Sequence, residues 1–311
     1  MKFYGKFLLI ITGTIFLYAL FLIFSDIQKL ENKIIDFDIR YIPLIIFLVT
    51  CAWIPLYLRW NLLLKNTGEQ VSLKGNLSIY VSGFALSITP GKIGELIRTE
   101  LLKKKFNIPR TKTVPLIFVE KLYDLTGAIT IAIIGIWFFH ESRYIIIAGL
   151  ILLLSVFIFI SSDKIFNKSV NYFGRFKIMA KFLQPLLQSY EIIKISTRGK
   201  IAISATLLSI LYWLITSLAV YFVLIAFKIT NIEYLNVVST FTASLFLGAA
   251  SFIPGGIGVA EGSLVGLFHL QGIEVTTAIM LVVIIRLFTL WYGVAIGFIA
   301  LKLTGGFSLK P

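Results

Sequence analysis

Six apolar runs, each long enough or nearly long enough to cross a lipid bilayer as a helix, limit the chain to a small set of folds. About 20 helical residues span the ~30 Å hydrocarbon core of a bilayer. Hydrophobic residues make up 58% of the chain and charged residues 14%, proportions that exclude an ordinary soluble domain and a disordered chain. The sequence therefore predicts an all-α, polytopic membrane protein with a single domain over 1–311. The six runs are 7–25, 41–64, 115–138, 144–160, 201–227 and 276–301.

The 29 Lys and Arg residues are distributed unequally between the two sides of these runs. When the N-terminus is placed in the cytoplasm, most basic residues fall in cytoplasmic segments, among them Arg59 near the end of the second run. By the positive-inside rule, this predicts a protein of the cell membrane with both termini in the cytoplasm. It also accounts for the net charge of +14 without a nucleic-acid partner. One Cys and two His give no basis for a disulfide framework, a metal centre or another cofactor.

The pattern Ser-x-x-Pro-Gly-x-Ile-Gly occurs twice, at 87–94 and at 251–258. The likeness extends into the apolar run that follows each copy, where Lys121-Leu-Tyr-Asp-Leu corresponds to Arg286-Leu-Phe-Thr-Leu. Three runs separate the two copies, and an odd number of crossings places them in opposite orientations. The sequence therefore predicts inverted repeats over about 76–138 and 237–302. In such repeats, segments interrupted by Gly and Pro form the transport site.

Each Pro-Gly pair is expected at the tip of a re-entrant helical hairpin, because proline ends a helix and glycine allows the chain to reverse. The first hairpin enters from the cytoplasm and the second from outside, with both tips near the middle of the membrane. Irregular backbone at that depth must be buried in protein or line a wet cavity. The alternative is that each segment is a kinked full span. The candidate cavity residues from these motifs are Ser87, Pro90, Gly91, Lys92, Gly94, Pro254, Gly255, Gly256 and Gly258.

Charged residues inside or beside the apolar runs form a second group of candidate cavity residues. An ionisable group at bilayer depth costs roughly 2.5–3.5 kcal/mol or more, so such groups are normally paired, hydrated or functional. One interpretation is a central polar cavity, in which the carboxylates act in coupling or headgroup binding and the cations contact phosphate. The other is a set of structural ion pairs, for example Arg286 with Glu120 or Asp124. The group comprises Glu95, Arg98, Glu120, Lys121, Asp124, Glu261 and Arg286.

Residues 163–200 combine many basic residues with apolar side chains at helical spacing. This pattern is typical of an amphipathic helix that lies on the cytoplasmic face of an anionic membrane. An ordinary cytoplasmic connector is the alternative.

Three motifs, in this order, resemble the lysylphosphatidylglycerol synthase transmembrane family, the flippase-like domain also called UPF0104. They are SITPGKIGEL at 87–96, EKLYD at 120–124 and PGGIGVAEG at 254–262, and Arg59-Trp60 resembles a further family feature. The family usually has Glu-Arg where this chain has Glu120-Lys121. Lysine keeps the charge but lacks the planar fork of arginine, which affects the expected role of position 121. In full-length synthases this domain precedes a soluble aminoacyl-transferase, and the resemblance covers the membrane part, so lysyl transfer by this chain alone is not expected.

The resemblance implies a flippase-like transporter, not an enzyme, that moves an anionic, aminoacylated or polyprenyl-linked lipid between leaflets. Its expected partners are the membrane lipid and a separate lipid-modifying enzyme, and an oligomer is compatible with the sequence. One alternative is an integral-membrane enzyme that modifies lipids or glycolipids with the same carboxylates as acid and base. The other is a non-catalytic scaffold in envelope lipid synthesis.

Cysteine labelling on a background without Cys51 tests the orientation. Cysteines introduced at 30–38 are expected to react with a membrane-impermeant reagent added outside intact cells. Those at 164–198 should react only after the cells are opened, because the charge asymmetry places the two segments on opposite sides. The reverse pattern would contradict both the topology and the inverted repeat.

Overall fold

The computed structural model describes residues 37–89, 94–135, 183–251, 253 and 256–306, together with the isolated positions 147, 151, 155, 162 and 166. Over these residues the chain forms helices and no strand, which confirms the predicted all-α class. The predicted first span at 7–25 and most of 144–160 lie outside the described residues. So do Pro90, Gly91 and Lys92 in the first Pro-Gly motif and Pro254-Gly255 in the second.

The described part of the chain contains ten α-helices. One short 3-10 segment, Ile39–Tyr41, precedes the first α-helix, and another, Gly83–Leu86, follows the second. A π-helical turn, Leu287–Trp291, joins the last two α-helices. The α-helices are α1 Ile42–Asn66, α2 Leu73–Ser82, α3 Ile97–Phe106, α4 Arg110–Gly135, α5 Leu183–Ser196, α6 Gly199–Ala226, α7 Tyr234–Ala250, α8 Val259–Leu270, α9 Val275–Arg286 and α10 Tyr292–Leu303.

Within the described part of the chain, three helical segments are long and apolar enough to cross a membrane. Each contains 28 or 29 residues with a mean hydropathy of 2.1 to 2.3, and a rise of 1.5 Å per residue gives each a length of roughly 40 Å. They correspond to three of the six predicted spans and confirm a polytopic membrane protein. They are Ile39–Asn66, Gly199–Ala226 and Val275–Leu303.

Helix α4 has 26 residues, which is also enough to cross a bilayer. It differs from the three apolar segments because charged residues lie near its middle, at Glu120, Lys121 and Asp124. A helix of this composition is stable at membrane depth only when its charges are paired or hydrated.

The same order of elements occurs twice along the chain. The helices α2 and α3 are short, are separated by a Pro-Gly motif and are followed by the long helix α4. The helices α7 and α8 are likewise short, flank the second Pro-Gly motif and are followed by the long segment α9–α10. We call the segment from α2 to α3 the first hairpin and the segment from α7 to α8 the second hairpin.

The first hairpin reverses direction, since its two ends and its two inner segments are both in contact. A Cβ atom built on Gly75, near the start of α2, lies 2.8 Å from the ring of Phe106 at the end of α3. Near the tip, a Cβ atom on Gly94 lies 2.4 Å from Cβ of Leu86. With 10 residues, α3 is about 15 Å long, about half of the hydrocarbon thickness. A kinked full span would keep Gly75 and Phe106 far apart.

The second hairpin has the same geometry. The Gln271 side chain, just after α8, donates a hydrogen bond from Nε2 to Oγ1 of Thr240 on α7 at 2.6 Å. Close to the tip, a Cβ atom on Gly248 lies 2.6 Å from Cβ of Ala260. The absence of a side chain at Gly248 therefore allows the two short helices to pack closely.

The described end of the predicted amphipathic segment is helix α5, which packs against α4. Tyr123 of α4 donates its hydroxyl hydrogen to the carbonyl oxygen of Ser196 at 2.8 Å. This part of 163–200 is thus attached to the helical bundle. The rest of the segment lies almost entirely outside the described residues.

The 3-10 segment Ile39–Tyr41, which leads into α1, begins immediately after Asp38, whose carboxylate accepts hydrogen bonds from the backbone N–H and the guanidinium of Arg40. These hydrogen bonds lower the pKa of Asp38 to about 2. The carboxylate therefore stays ionised throughout the physiological pH range and stabilises the positive end of the helix dipole.

The last helix packs directly on the first hairpin through a glycine. A Cβ atom on Gly297 of α10 lies 2.2 Å from the backbone nitrogen of Ala85, whereas one on Gly293, one turn earlier, lies 3.6 Å from the Trp53 ring. The two halves of the chain therefore meet backbone to backbone at Gly297.

The substitution Gly297→Ala is expected to lower the free energy of unfolding by roughly 1–3 kcal/mol, because the added methyl forces α10 away from Ala85. Gly293→Ala is the matched control, since it makes the same gain in helix propensity and creates only an ordinary contact. Thermal unfolding in detergent compares the two. Equal transition temperatures would contradict the close approach at Gly297.

Candidate functional site

Six charged side chains from three elements form a closed ring in which cations and anions alternate. One comes from α1, two from the first hairpin and three from α4. With three cations and three anions the ring has no net charge. We call it the charge ring; in order around it, the members are Arg59, Asp124, Lys121, Glu95, Arg98 and Glu120.

Arg98 connects the first hairpin to α4. Its Nη2 donates to Oε2 of Glu120 at 2.6 Å and to Oε2 of Glu95 at 3.0 Å. The same Glu95 oxygen accepts a hydrogen bond from Nζ of Lys121 at 2.9 Å. Glu95 and Arg98 are three residues apart, and Glu120 and Lys121 are adjacent, so short local spacing places these four groups within reach of one another.

Arg59 connects α1 to α4 and α6. Its Nη2 donates to Oδ1 of Asp124 at 2.6 Å, and its Nη1 donates to Oγ of Ser209 on α6 at 2.6 Å. Two longer contacts then close the ring. They are Arg59 Nη2 to Glu120 Oε1 at 3.8 Å and Lys121 Nζ to Asp124 Oδ2 at 3.7 Å.

The charge ring has a buried side and a more open side. The side chains of Arg59, Arg98 and Glu120 are each 2% exposed, while those of Lys121 and Asp124 are 31% and 22% exposed. An unpaired charge at such buried positions would cost several kcal/mol. Alternating pairing is therefore what allows these residues to lie inside the bundle.

Aromatic rings and an amide support the buried side. The guanidinium carbon of Arg98 lies 4.5 Å from the centre of the Trp60 ring and 4.9 Å from that of Tyr80, within the range of cation–π attraction. Trp60 in turn donates its Nε1 hydrogen to Oδ1 of Asn76 at 2.9 Å. These contacts fix the plane of the guanidinium and so the direction of its hydrogen bonds.

A cavity of about 80 Å³ adjoins the charge ring. That volume is room for several water molecules or one small polar group, not for a whole lipid. The lining combines charge-ring members with aromatic and small residues. It comprises Trp53, Leu56, Arg59, Tyr80, Phe84, Ser87, Glu95, Glu120, Lys121, Asp124, Tyr212, Thr289, Leu290 and Gly293.

The cavity lies halfway along the candidate membrane-spanning segments. Trp53, Tyr212 and Thr289 line it, and each is at or next to the midpoint of its segment. Thr289 belongs to the π-helical turn Leu287–Trp291. Single π turns inside helices are frequent at functional sites, and this one brings two of its residues to the cavity wall.

A separate ion pair occupies the corresponding place in the second copy. Arg286 donates from Nε to Oε1 of Glu261 at 2.7 Å, and both side chains are 5% exposed. The other oxygen of Glu261 accepts the backbone N–H of Gly258 at 2.7 Å, at the start of α8. In both copies a cation of the long helix thus binds the glutamate that follows the Pro-Gly motif.

This pairing corrects the expectation for Arg286. The structural interpretation of the sequence paired it with Glu120 or Asp124, but it contacts Glu261 and is not among the cavity-lining residues of the described chain. The reason is that Glu261 lies on the adjacent second hairpin, whereas Glu120 and Asp124 are already neutralised by Arg98 and Arg59.

Of the remaining predicted residues, the structure describes Ser87, Gly94, Gly256 and Gly258. Ser87 lines the cavity. Gly94 donates its backbone N–H to Oγ1 of Thr89 at 2.6 Å and packs against Leu86. Gly256 and Gly258, in the second hairpin, have positive φ angles of 68° and 88°, which favour glycine. The tip residues Pro90, Gly91, Lys92, Pro254 and Gly255 lie outside the described residues.

Sequence reasoning missed Arg59, which it counted among the cytoplasmic basic residues. The available signal was its position inside the apolar run 41–64, where the cost of a buried charge indicates a partner. The aromatic residues Trp53, Tyr80 and Tyr212 carry no comparable signal, because aromatic side chains are common throughout the apolar runs. Over the described residues, no group of three or more His, Cys, Asp and Glu side chains is arranged to hold a metal ion.

Comparison with known proteins gives a consistent result. The family described as "Lysylphosphatidylglycerol synthase TM region" matches residues 8–297. A UPF0104 membrane protein of Methanocaldococcus jannaschii is 30% identical over 216 residues, which cover 66% of this chain and 87% of the relative. One from Pyrococcus horikoshii is 26% identical over 320 residues, covering 94% and 95%. No solved structure is significantly similar to the chain.

The charge ring generates a stability prediction. Arg98→Leu is expected to destabilise the protein by about 3–5 kcal/mol, because it leaves Glu120 as a buried charge without its closest partner. The double change Arg98→Leu with Glu120→Leu should recover much of that loss, since it removes one cation and one anion together. Thermal unfolding in detergent measures both.

Arg110→Leu serves as the control, because the ion pair of Arg110 with Glu100 is about half-exposed and such pairs contribute less than about 1 kcal/mol. A double variant no more stable than Arg98→Leu alone would show that pairing within the ring is not what the single change disrupts.

Proposed function

Because this chain belongs to the lysylphosphatidylglycerol synthase transmembrane family, we propose that it binds the polar headgroup of a membrane lipid in the cavity and moves that lipid between leaflets. The lipid classes that fit the family are anionic, aminoacylated and polyprenyl-linked. The protein acts as a flippase-like transporter in the cell membrane, with both termini in the cytoplasm. The two hairpins are re-entrant and enter from opposite sides.

The observation that carries the proposal is a charged cavity at the middle of apolar helices. A polar headgroup that crosses the hydrocarbon core alone loses its hydration, and each buried polar or charged group then costs several kcal/mol. A wall of paired charges replaces part of that hydration. Since the cavity holds only a small polar group, the acyl or prenyl chains stay in the surrounding bilayer.

The different exposure of the ring members supports different roles for them. Lys121 is the more open cation and Asp124 the more open carboxylate, so Lys121 contacts phosphate and Asp124 contacts the amine of an aminoacylated lipid. Arg98 is buried and does not line the cavity, and it acts as a positioning residue for these two.

Lipid transfer in proteoliposomes tests the proposal. The double variant Lys121→Gln with Asp124→Asn removes both open charges and keeps the ring neutral, so it is expected to fold. The assay measures transfer of a fluorescently labelled anionic lipid between leaflets by quenching the label from outside. The transfer rate should fall at least ~10-fold, because two charge-assisted contacts are lost. The transition temperature in detergent should stay within a few degrees of the wild type.

The matched control is Lys112→Gln with Glu69→Gln. This pair has the same chemistry and a 2.6 Å contact, and neither residue lines the cavity. Wild-type transfer by the cavity double variant would contradict the proposed site. Mass spectrometry of the recovered lipids tests the enzyme alternative. A covalent change in the lipid would show that the protein is an enzyme and not a transporter.

A further inference from the structure

We infer that the charge ring recognises hydroxyl groups, so that the preferred headgroup is hydroxyl-rich and uncharged where it enters the ring, as a sugar is. This inference rests on the proposed function and selects among its lipid classes. Three independent features support it: the uneven contacts of the ring, its charge balance and the aromatic part of the cavity wall.

The six contacts of the charge ring are of two kinds. Four are between 2.6 and 3.0 Å, and the other two are 3.7 and 3.8 Å, beyond hydrogen-bond distance. The two residues of one long contact, Arg59 and Glu120, each have a buried atom with no hydrogen-bond partner among the described residues: Nε of Arg59 and Oε1 of Glu120. Such atoms are rare in folded proteins and normally indicate a missing partner.

A donor atom and an acceptor atom are both satisfied by a group that can donate and accept. Nε of Arg59 is a donor, and the carboxylate oxygen of Glu120 is an acceptor. A phosphate oxygen accepts but is repelled by Glu120, and an ammonium donates but is repelled by Arg59. A hydroxyl both donates and accepts. Both residues line the cavity, which places a headgroup hydroxyl bound there next to this long contact.

The charge balance favours the same class. On the buried side of the ring, Arg59, Arg98 and Glu120 are each paired with a described partner, so a net charge placed beside them has no free counter-charge among them and costs several kcal/mol. An uncharged polyol adds hydrogen bonds without adding charge.

The aromatic part of the wall completes the match. Trp53 and Phe84 line the cavity with ring centres 5.1 Å apart, and Tyr80 and Tyr212 line it as well. The C–H faces of a sugar ring are apolar and pack against aromatic surfaces, while its hydroxyl groups point sideways. A cavity with aromatic walls and a few fixed polar groups is the usual form of a small-molecule site.

Native mass spectrometry of the detergent-solubilised full chain tests this inference with three lipids that have the same acyl chains. Glucosyl-diacylglycerol has alcohol hydroxyls and no charge, phosphatidic acid has charge and no alcohol hydroxyl in its headgroup, and phosphatidylethanolamine is zwitterionic. In an equimolar mixture, glucosyl-diacylglycerol is expected to bind at least ~10-fold more tightly than the other two.

Trp53→Leu should reduce that preference to less than ~3-fold. Phe47→Leu is the matched control, because Phe47 is an aromatic residue of the same helix, is 62% exposed on the outer surface and does not line the cavity. It should leave the preference unchanged. An unchanged preference in Trp53→Leu would overturn the assignment of the sugar to this cavity.

Equal or tighter binding of phosphatidic acid or phosphatidylethanolamine would overturn the inference and leave the proposed lipid function standing. Binding of none of the three lipids would overturn both. Methyl glucoside provides the last arm: if it displaces glucosyl-diacylglycerol at equal concentration, the ligand is a soluble sugar, and the proposed lipid function fails while hydroxyl recognition by the ring stands.

Discussion

The alternation of charge around the ring is the constraint on which the first half of the structure depends. Each cation has an anion on both sides, and each anion has two cations, so no member lies at membrane depth without compensation. To achieve this, α1, the first hairpin and α4 must approach to within hydrogen-bond distance at one level of the bundle. The apolar surfaces of these helices set no such distance, because lipid and neighbouring helices are equally apolar. Polar contacts therefore determine where the helices meet.

Hydropathy and the energetic cost of buried charge predicted several membrane spans and a cluster of charged residues. The spans at 41–64, 201–227 and 276–301 have helical counterparts, and the charged residues singled out near the first Pro-Gly motif and on α4 do come together. What the sequence could not supply is the choice of partner between elements that are distant along the chain. Arg286 binds Glu261 because the second hairpin lies beside α9, a fact of packing that no spacing rule contains.

The two copies of the repeated pattern share one contact and differ around it. In each, a basic residue of the long helix binds the glutamate after the Pro-Gly motif, Lys121 with Glu95 and Arg286 with Glu261. In the first copy the contact is part of a charge ring that faces a cavity. In the second it is buried, and Glu261 also caps α8. The copies therefore share an ion pair, and in the first copy that pair faces the cavity.

The π-helical turn at Leu287–Trp291 sets the angular relation between the two ends of the last helix. A π turn holds one residue more than an α turn, and one residue corresponds to a rotation of about 100° around the helix axis. Before the turn, the helix contacts the second hairpin through Arg286. After the turn, it contacts the backbone of the first hairpin at Gly297. The single extra residue thus sets the rotation of one contact relative to the other around the helix axis. If the turn relaxed to regular α-helix, the helix could keep its contacts at both Arg286 and Gly297 only if one hairpin rotated around the helix axis relative to the other. The last helix therefore couples the positions of the two hairpins.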